Sequence, residues 1–191
     1  SLLDGFCPLE ELVLATKEKG MDVVAMTDHG VMFGAVDFYK LCKKHGVKPI
    51  IGCEVYVATE NPRVNHHLVL LAKDNEGYRN LMELVSFSFI DHFYYRPRIT
   101  KELLEQHHTG LLALSSCLQG EVAQMLLQGR DEDALRATKY YQNLFQEDFY
   151  LELQDHGLAE QKRILPRLIR LHEITGVPLV ATHDVHYIEK E

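Results

Sequence analysis

The sequence predicts an α/β fold with a largely parallel sheet, in a single domain covering residues 1–191. Three observations predict it. Short apolar runs of strand length alternate with longer amphipathic stretches of helical period. Glycine or a turn-forming pair punctuates most boundaries between them, as at Gly20, Gly46 and Gly110. Composition is that of an ordinary globular domain, 46% hydrophobic and 25% charged, with no apolar run long enough to span a membrane.

The elements follow in order. Pro8 suits a first helical turn, and Leu9, Leu12 and Val13 share a face until Gly20 stops the helix. Val23–Met26 reads as a buried strand running into Thr27-Asp28-His29-Gly30. Residues 31–45 read as a helix stopped by Gly46, and 49–57 as the second strand. The third strand is 67–72. The nine residues 58–66 are too few for a crossover helix, so these two strands form a hairpin, with Glu60, Asn61 and Pro62 as turn residues. A turn centred on Glu60 and Asn61 sets Glu54 opposite His67, where the two can share a metal. The loop is short enough that residues are expected to be missing from it, near 59–65. Residues 75–90 read as a helix, and Thr100 caps another over 101–106. A strand over 110–114 leads into Ser115-Ser116-Cys117. Helices follow over 121–127 and 131–145, then a strand over 149–153. A long helix over 157–175 carries Ile164, Leu165, Leu168 and Ile169 on one face, and the last strand, 177–181, runs into Thr182-His183-Asp184-Val185-His186. Six strands interleaved with helices suit either a barrel or a doubly wound sheet, and periodicity does not choose between them. The first helix has no strand before it, and both ends read as cut, so the chain is expected to be a piece of a longer protein.

The net charge of −8 speaks against a broad basic grip on nucleic acid, though not against nucleic acid as a substrate whose phosphates metal ions neutralise. The four cysteines form no CxxC pair or short framework, and no signal peptide precedes them, which suits a reduced, cytoplasmic setting with no membrane partner. There is no GxGxxG, GxxxxGK[ST] or GxSxG motif.

In parallel α/β folds functional groups gather at strand C-termini. There the sequence places Asp28 and His29, then Glu54, Cys117, Asp155 and His156, and finally Asp184 and His186. These are metal-binding side chains, with imidazole and carboxylate suiting Zn, Mn or Fe. Each has a plainer reading. Asp28 suits a helix cap, Cys117 a small buried apolar residue, and a single histidine a hydrogen-bonded loop group. Convergence on one rim favours metal. His45, His107, His108 and His172 lie on helices away from it, and His66 should face opposite to His67. The aromatic run His92-Phe93-Tyr94-Tyr95 is of a kind that stacks bases, but a loop packing its rings on the core is the preferred reading.

The segments SLLDG, MTDHGVMFGAVDFYK, PIIGCEVYV, HHLVLLAKD, FYYRPRI, LSSCLQGEV, LELQDHG and VATHDVHY together resemble the PHP (polymerase and histidinol phosphatase) domain. More closely, they resemble the branch at the N-terminus of bacterial replicative DNA polymerase III alpha subunits. The resemblance runs almost end to end. It implies a distorted seven-stranded β/α barrel, TIM-barrel-like, whose first strand, with an HxH motif, is missing from this sequence. It also implies a trinuclear site of divalent Zn, Mn or Fe held by about nine ligands. The family pattern maps onto Asp4, His29, Glu54, His67, Cys117, Asp184 and His186. His183 stands where the polymerase branch usually has Asn. The implied activity is metal-dependent phosphodiester hydrolysis, as a 3′–5′ exonuclease proofreading a DNA 3′ end during replication. Its implied partners are the remaining polymerase domains and replisome subunits. Two alternatives stay open: a catalytically silent scaffold docking a separate proofreading exonuclease, and a free-standing phosphatase on a small phosphate ester.

Overall fold

The structure, a computed structural model, describes residues 5–188. Apolar faces of seven helices cover one side of a curled, seven-stranded mixed sheet. In chain order the elements are α1 (Leu9–Glu18), β1 (Val23–Met26), α2 (Ala35–His45), β2 (Lys48–Ala58), β3 (Asn65–Ala72), α3 (Asn75–Ile90), β4 (Arg98–Ile99) and α4 (Lys101–Gln106). They continue with β5 (Leu111–Leu114), α5 (Glu121–Leu127), α6 (Asp131–Phe145), β6 (Phe149–Leu153), α7 (Ala159–Thr175) and β7 (Leu179–Ala181).

Local chemistry explains the boundaries. Asp74 caps α3, its carboxylate accepting from the Gly77 amide at 2.8 Å, and Thr100 caps α4 by accepting from Leu103 at 3.2 Å. The α2 helix begins at Ala35 rather than near 31, so Asp28 is not its cap; Gly34 stands there instead. On α7 the buried stripe is Gln161, Ile164, Leu168 and Leu171, and Ile169 is exposed, which corrects the predicted face. The two-residue β4 was too short to give a periodic signal.

The sheet path is β1-β2-β3-β5-β6-β7, with β4 paired to β2. All pairings are parallel except those of β3, which runs against both neighbours. The hairpin is therefore present, but its register differs from the predicted one. Glu54 pairs with Val69, and His67 pairs with Tyr56. The loop after Ala58 is pinned by its own bonds, Thr59 Oγ1 donating to Val64 O at 2.9 Å and Arg63 N to Asn61 Oδ1 at 3.1 Å. These centre the turn later than Glu60 and Asn61. The register moves by two residues, so His67 keeps its face.

Residues alternate across the sheet. Cys53, Val55, Val57, Leu68 and Leu70 face the helices in the main core, with Leu81, Leu104, Phe149 and Leu151. A second cluster, Val13, Met26, Phe38 and Cys42, seats α1 and α2 on β1. The concave face is the inside of the barrel. Among the described residues no strand lies between β1 and β7, and the barrel stays open there as a cleft of about 1200 Å3. Phe6 pairs beside β7, its amide donating to His186 O at 2.7 Å.

Candidate metal centre

The C-terminal ends of the parallel strands form one rim, and β3, being reversed, contributes its beginning to that rim. This is how His67 reaches the same place as Glu54. The Thr27–Gly30 turn runs on along β2: Glu54 N donates to Asp28 O at 3.1 Å, and Gly30 N to Glu54 O at 2.9 Å. His29 is thereby set beside Glu54. Gly30 has φ +64°, and a Cβ there would lie 2.8 Å from Pro97 Cγ, so only glycine fits this turn without displacing the loop above it.

Glu54 is 4% exposed on the concave face. Its Oε1 lies 2.9 Å from His29 Nδ1 and also contacts His67 Nδ1. Burial alone would raise this carboxyl, but the two imidazoles outweigh it and hold Glu54 at about 2. Burial likewise disfavours a charged His67, yet Cys117 and Glu54 raise it to about 9. Cys117 Sγ is 3.7 Å from His67 Nδ1. The loop after β5 delivers it. Ser116 adopts φ +68°, His67 N donates to Gln119 O at 3.0 Å, and Gly120 N donates to Cys117 O at 2.9 Å.

Ligand atoms of His29, Glu54 and His67 lie within 4.8 Å of one another, and so do those of Glu54, Cys117 and Asp184. The two groups share Glu54. Such a mixed N, O and S donor set, half-buried and built around one carboxylate, fits divalent ions of the Zn, Mn and Fe kind. Asp184 is brought in by a left-handed backbone, φ +48°. The His186 ring lies 5.8 Å from that of His29, and its Nδ1 is 2.8 Å from Asp184 O; it borders the clusters without joining either. Asp4 lies outside the described residues.

The other rim candidates do different work. Asp155 accepts from Gly157 N in a turn, and His156 bonds Gln161 and the His183 carbonyl. His66 faces the helices beside Glu121 and Lys101, and burial lowers its pKa. His107 meets Glu83, while His108 and His172 bond backbone carbonyls. Cys53 is fully buried among apolar side chains, with its thiol pushed up by burial.

Two residues of the site were not anticipated. Tyr56 is buried with its ring 5.0 Å from His67 and 6.4 Å from His29, walling the cluster. Strand alternation points to it, since it is two residues past Glu54. Glu152 lines the cleft at 5% exposure, bonded through Oε1 to Gln154 and Thr182. Burial raises its pKa. Alternation with buried Leu151 marks it as inward-facing.

Residues 1–156 match the family model described as the PHP domain. A DNA polymerase III subunit alpha from Treponema pallidum is 49% identical over 201 residues, covering 100% of this chain and 17% of the relative. Those of Borreliella burgdorferi and Deinococcus radiodurans are 42% and 44% identical, again over 100% of this chain and over 17% and 15% of their own lengths. The chain thus spans about a sixth of these relatives. Two solved structures share the fold. A Bifidobacterium adolescentis protein described as a metal-dependent phosphoesterase has a TM-score of 0.61 at 16% identity, covering 98% of this chain and 85% of that one. A Chromobacterium violaceum amidohydrolase with bound sulfate has a TM-score of 0.61 at 13% identity, over 96% and 84%.

Proposed function

The chain belongs to the PHP domain family, and from that premise we propose that it is the PHP domain of a bacterial replicative DNA polymerase, hydrolysing phosphodiesters as a 3′–5′ exonuclease. It would act within the cytoplasmic replisome, with the polymerase domains as its covalent partners. The similarity to DNA polymerase III subunits supports the setting. The observation that carries the chemistry is Glu54, one carboxylate shared by His29 and His67, with Cys117 and Asp184 closing around it.

In this reading His29, Glu54, His67, Cys117 and Asp184 hold the metal ions, with His186 and Asp4 completing the set. Ions so held supply Lewis acidity toward phosphoryl oxygens and lower the pKa of bound water. The chain's own residues do the rest. Glu54 fixes the two imidazoles relative to each other, and Tyr56 shields that contact from solvent. Glu54, Glu152 and Asp184 line the cleft, and cations held there would offset the repulsion between the Asp184 carboxylate and a phosphodiester.

The test is metal content by mass spectrometry of the full-length protein, paired with hydrolysis of 5′-labelled single-stranded DNA. The expected result is bound divalent metal and mononucleotide release from the 3′ end. Less than one metal per chain sinks the exonuclease reading and leaves the domain a scaffold docking a separate proofreading enzyme. Turnover of a small phosphomonoester with none of DNA points instead to a phosphatase.

A further inference from the structure

The loop between α3 and β4 was expected to pack its rings on the core, and it does not. Phe93 is 55% exposed, Tyr94 37% and Tyr95 81%. Tyr95 is held outward by a left-handed backbone, φ +59°, inside a tight turn closed by Tyr94 N donating to Arg96 O at 3.1 Å. A tyrosine in this conformation is uncommon and needs the surrounding structure to impose it.

We propose that Phe93, Tyr94 and Tyr95, with Arg96 and Arg98, form a stacking platform for the bases of single-stranded nucleic acid entering the metal centre; this rests on the phosphodiesterase reading above. Five observations carry it. Tyr95, in edge contact with Tyr94 at 4.7 Å, and Phe93, stacked on Phe89 at 6.0 Å, keep more than half of their surface exposed, and such rings accept bases without selecting among them. Each arginine already lies over a ring, Arg98 at 5.2 Å from the Tyr94 centroid and Arg96 at 5.1 Å from that of Tyr56, the geometry in which guanidinium and aromatic groups alternate. Neither arginine forms an ion pair among the described residues; Arg98 is half-buried and engaged by the loop, while Arg96 is exposed and offers its charge to phosphates in a chain of net charge −8. The platform is also continuous with the cluster, because the Tyr56 ring lies against both the Arg96 guanidinium and, at 6.4 Å, the His29 ring. Arg98 ties the loop down by donating to His92 O and Pro62 O, both at 3.3 Å, so the rings are presented on a braced turn. The guanidinium charges favour a polyanion over an apolar protein partner.

The experiment compares, on the full-length protein, kcat/KM for a single-stranded oligothymidylate with kcat/KM for bis(4-nitrophenyl) phosphate, which has no base and only one phosphate. Tyr95→Ala and Phe93→Ala should each lower the oligonucleotide-to-small-diester ratio about ten-fold, the double variant more. Ile174→Ala, an exposed apolar truncation at the far end of α7, should leave the ratio as it is. A ratio within two-fold of the parent in both ring variants overturns the platform while leaving the phosphodiesterase reading intact. Should the parent hydrolyse neither compound, that reading fails, and photocrosslinking of a 5-iododeoxyuridine oligonucleotide still decides the platform: adducts on residues 93–95 support it, and adducts elsewhere overturn it. Loss of a bound protein subunit in the ring variants, with the ratio unchanged, assigns the patch to protein docking and likewise overturns it.

Discussion

His67 stands opposite Tyr56 in the β2–β3 ladder, two residues away from the carboxylate it serves. The diagonal brings imidazole and carboxylate together because residues of equal parity share a face, and β3 is reversed so that its first residues reach the rim. The contact is therefore a property of the ladder rather than of a loop.

Replacing Glu54 with Gln tests this arrangement. The amide keeps the volume but removes the charge that both imidazoles face. The fold should survive, bound metal should fall by about 100-fold in affinity or more, and phosphodiester hydrolysis with it. Nuclear magnetic resonance titration of the metal-free Glu54→Gln protein should show His67 titrating well below 9, nearer its ordinary 6.5. A His67 titration that does not move contradicts the shared-carboxylate geometry.

The pH response has two arms of opposite sign. Glu54 sits at about 2 against an ordinary 4.5, so its contribution to stability is complete above 4.5 and disappears as pH falls toward 2. His67 sits at about 9 against 6.5, so its contribution is complete below 6.5 and is lost as pH rises through 9. Thermal melting of metal-free protein should show this pair stabilising most between those inner limits. Metal must displace the proton on His67, so between pH 6.5 and 9 affinity should rise about ten-fold per pH unit. A flat affinity profile there removes His67 from the ligand set.

Much of this was legible in the sequence, for identifiable reasons. Short apolar runs mark β1, β5 and β6, Gly110 stands just before β5, and the capping group Thr100 marks the start of α4, whereas the cap that Asp74 gives α3 was not read. His29 and Cys117 are legible because a parallel sheet sends strand ends to one rim, and Glu54 because a lone carboxylate lies inside the apolar run of β2. The hairpin register was not, since loop bonds from Thr59 and Asn61 set it and alternation fixes only its parity. Nor was the exposure of Tyr95, because a ring thrown outward by a left-handed turn has the same local sequence as one packed inward.

Gly120 offers a steric test of how the site is assembled. Its φ is an ordinary −64°, so backbone strain is not the issue. A Cβ there would lie 2.0 Å from Ser115 O, inside the turn that swings Cys117 toward His67. Gly120→Ala should therefore cost about 1–3 kcal/mol by denaturant unfolding, as overpacking does. It should also weaken metal binding by displacing the thiol. Unchanged stability and unchanged affinity together mean that the turn relaxes freely and does not position Cys117.

Cys117 is the one sulfur donor in either cluster, beside two imidazoles and two carboxylates. Thiolate is a soft ligand and favours Zn and Fe, whereas the hard oxygens of carboxylates suit Mn. Cys117→Ser keeps the size and replaces sulfur with a hard, weakly acidic oxygen, so its effect should depend on the metal. Competition titrations should show Zn affinity falling at least about ten-fold more than Mn affinity. His67 should change too, because Cys117 is among the groups that raise it, and its titration should shift downward in the metal-free variant. An equal loss for both metals makes Cys117 a packing residue at the edge of the cluster. The selective loss, with Mn-supported hydrolysis retained, makes it the ligand that sets which ion the centre holds.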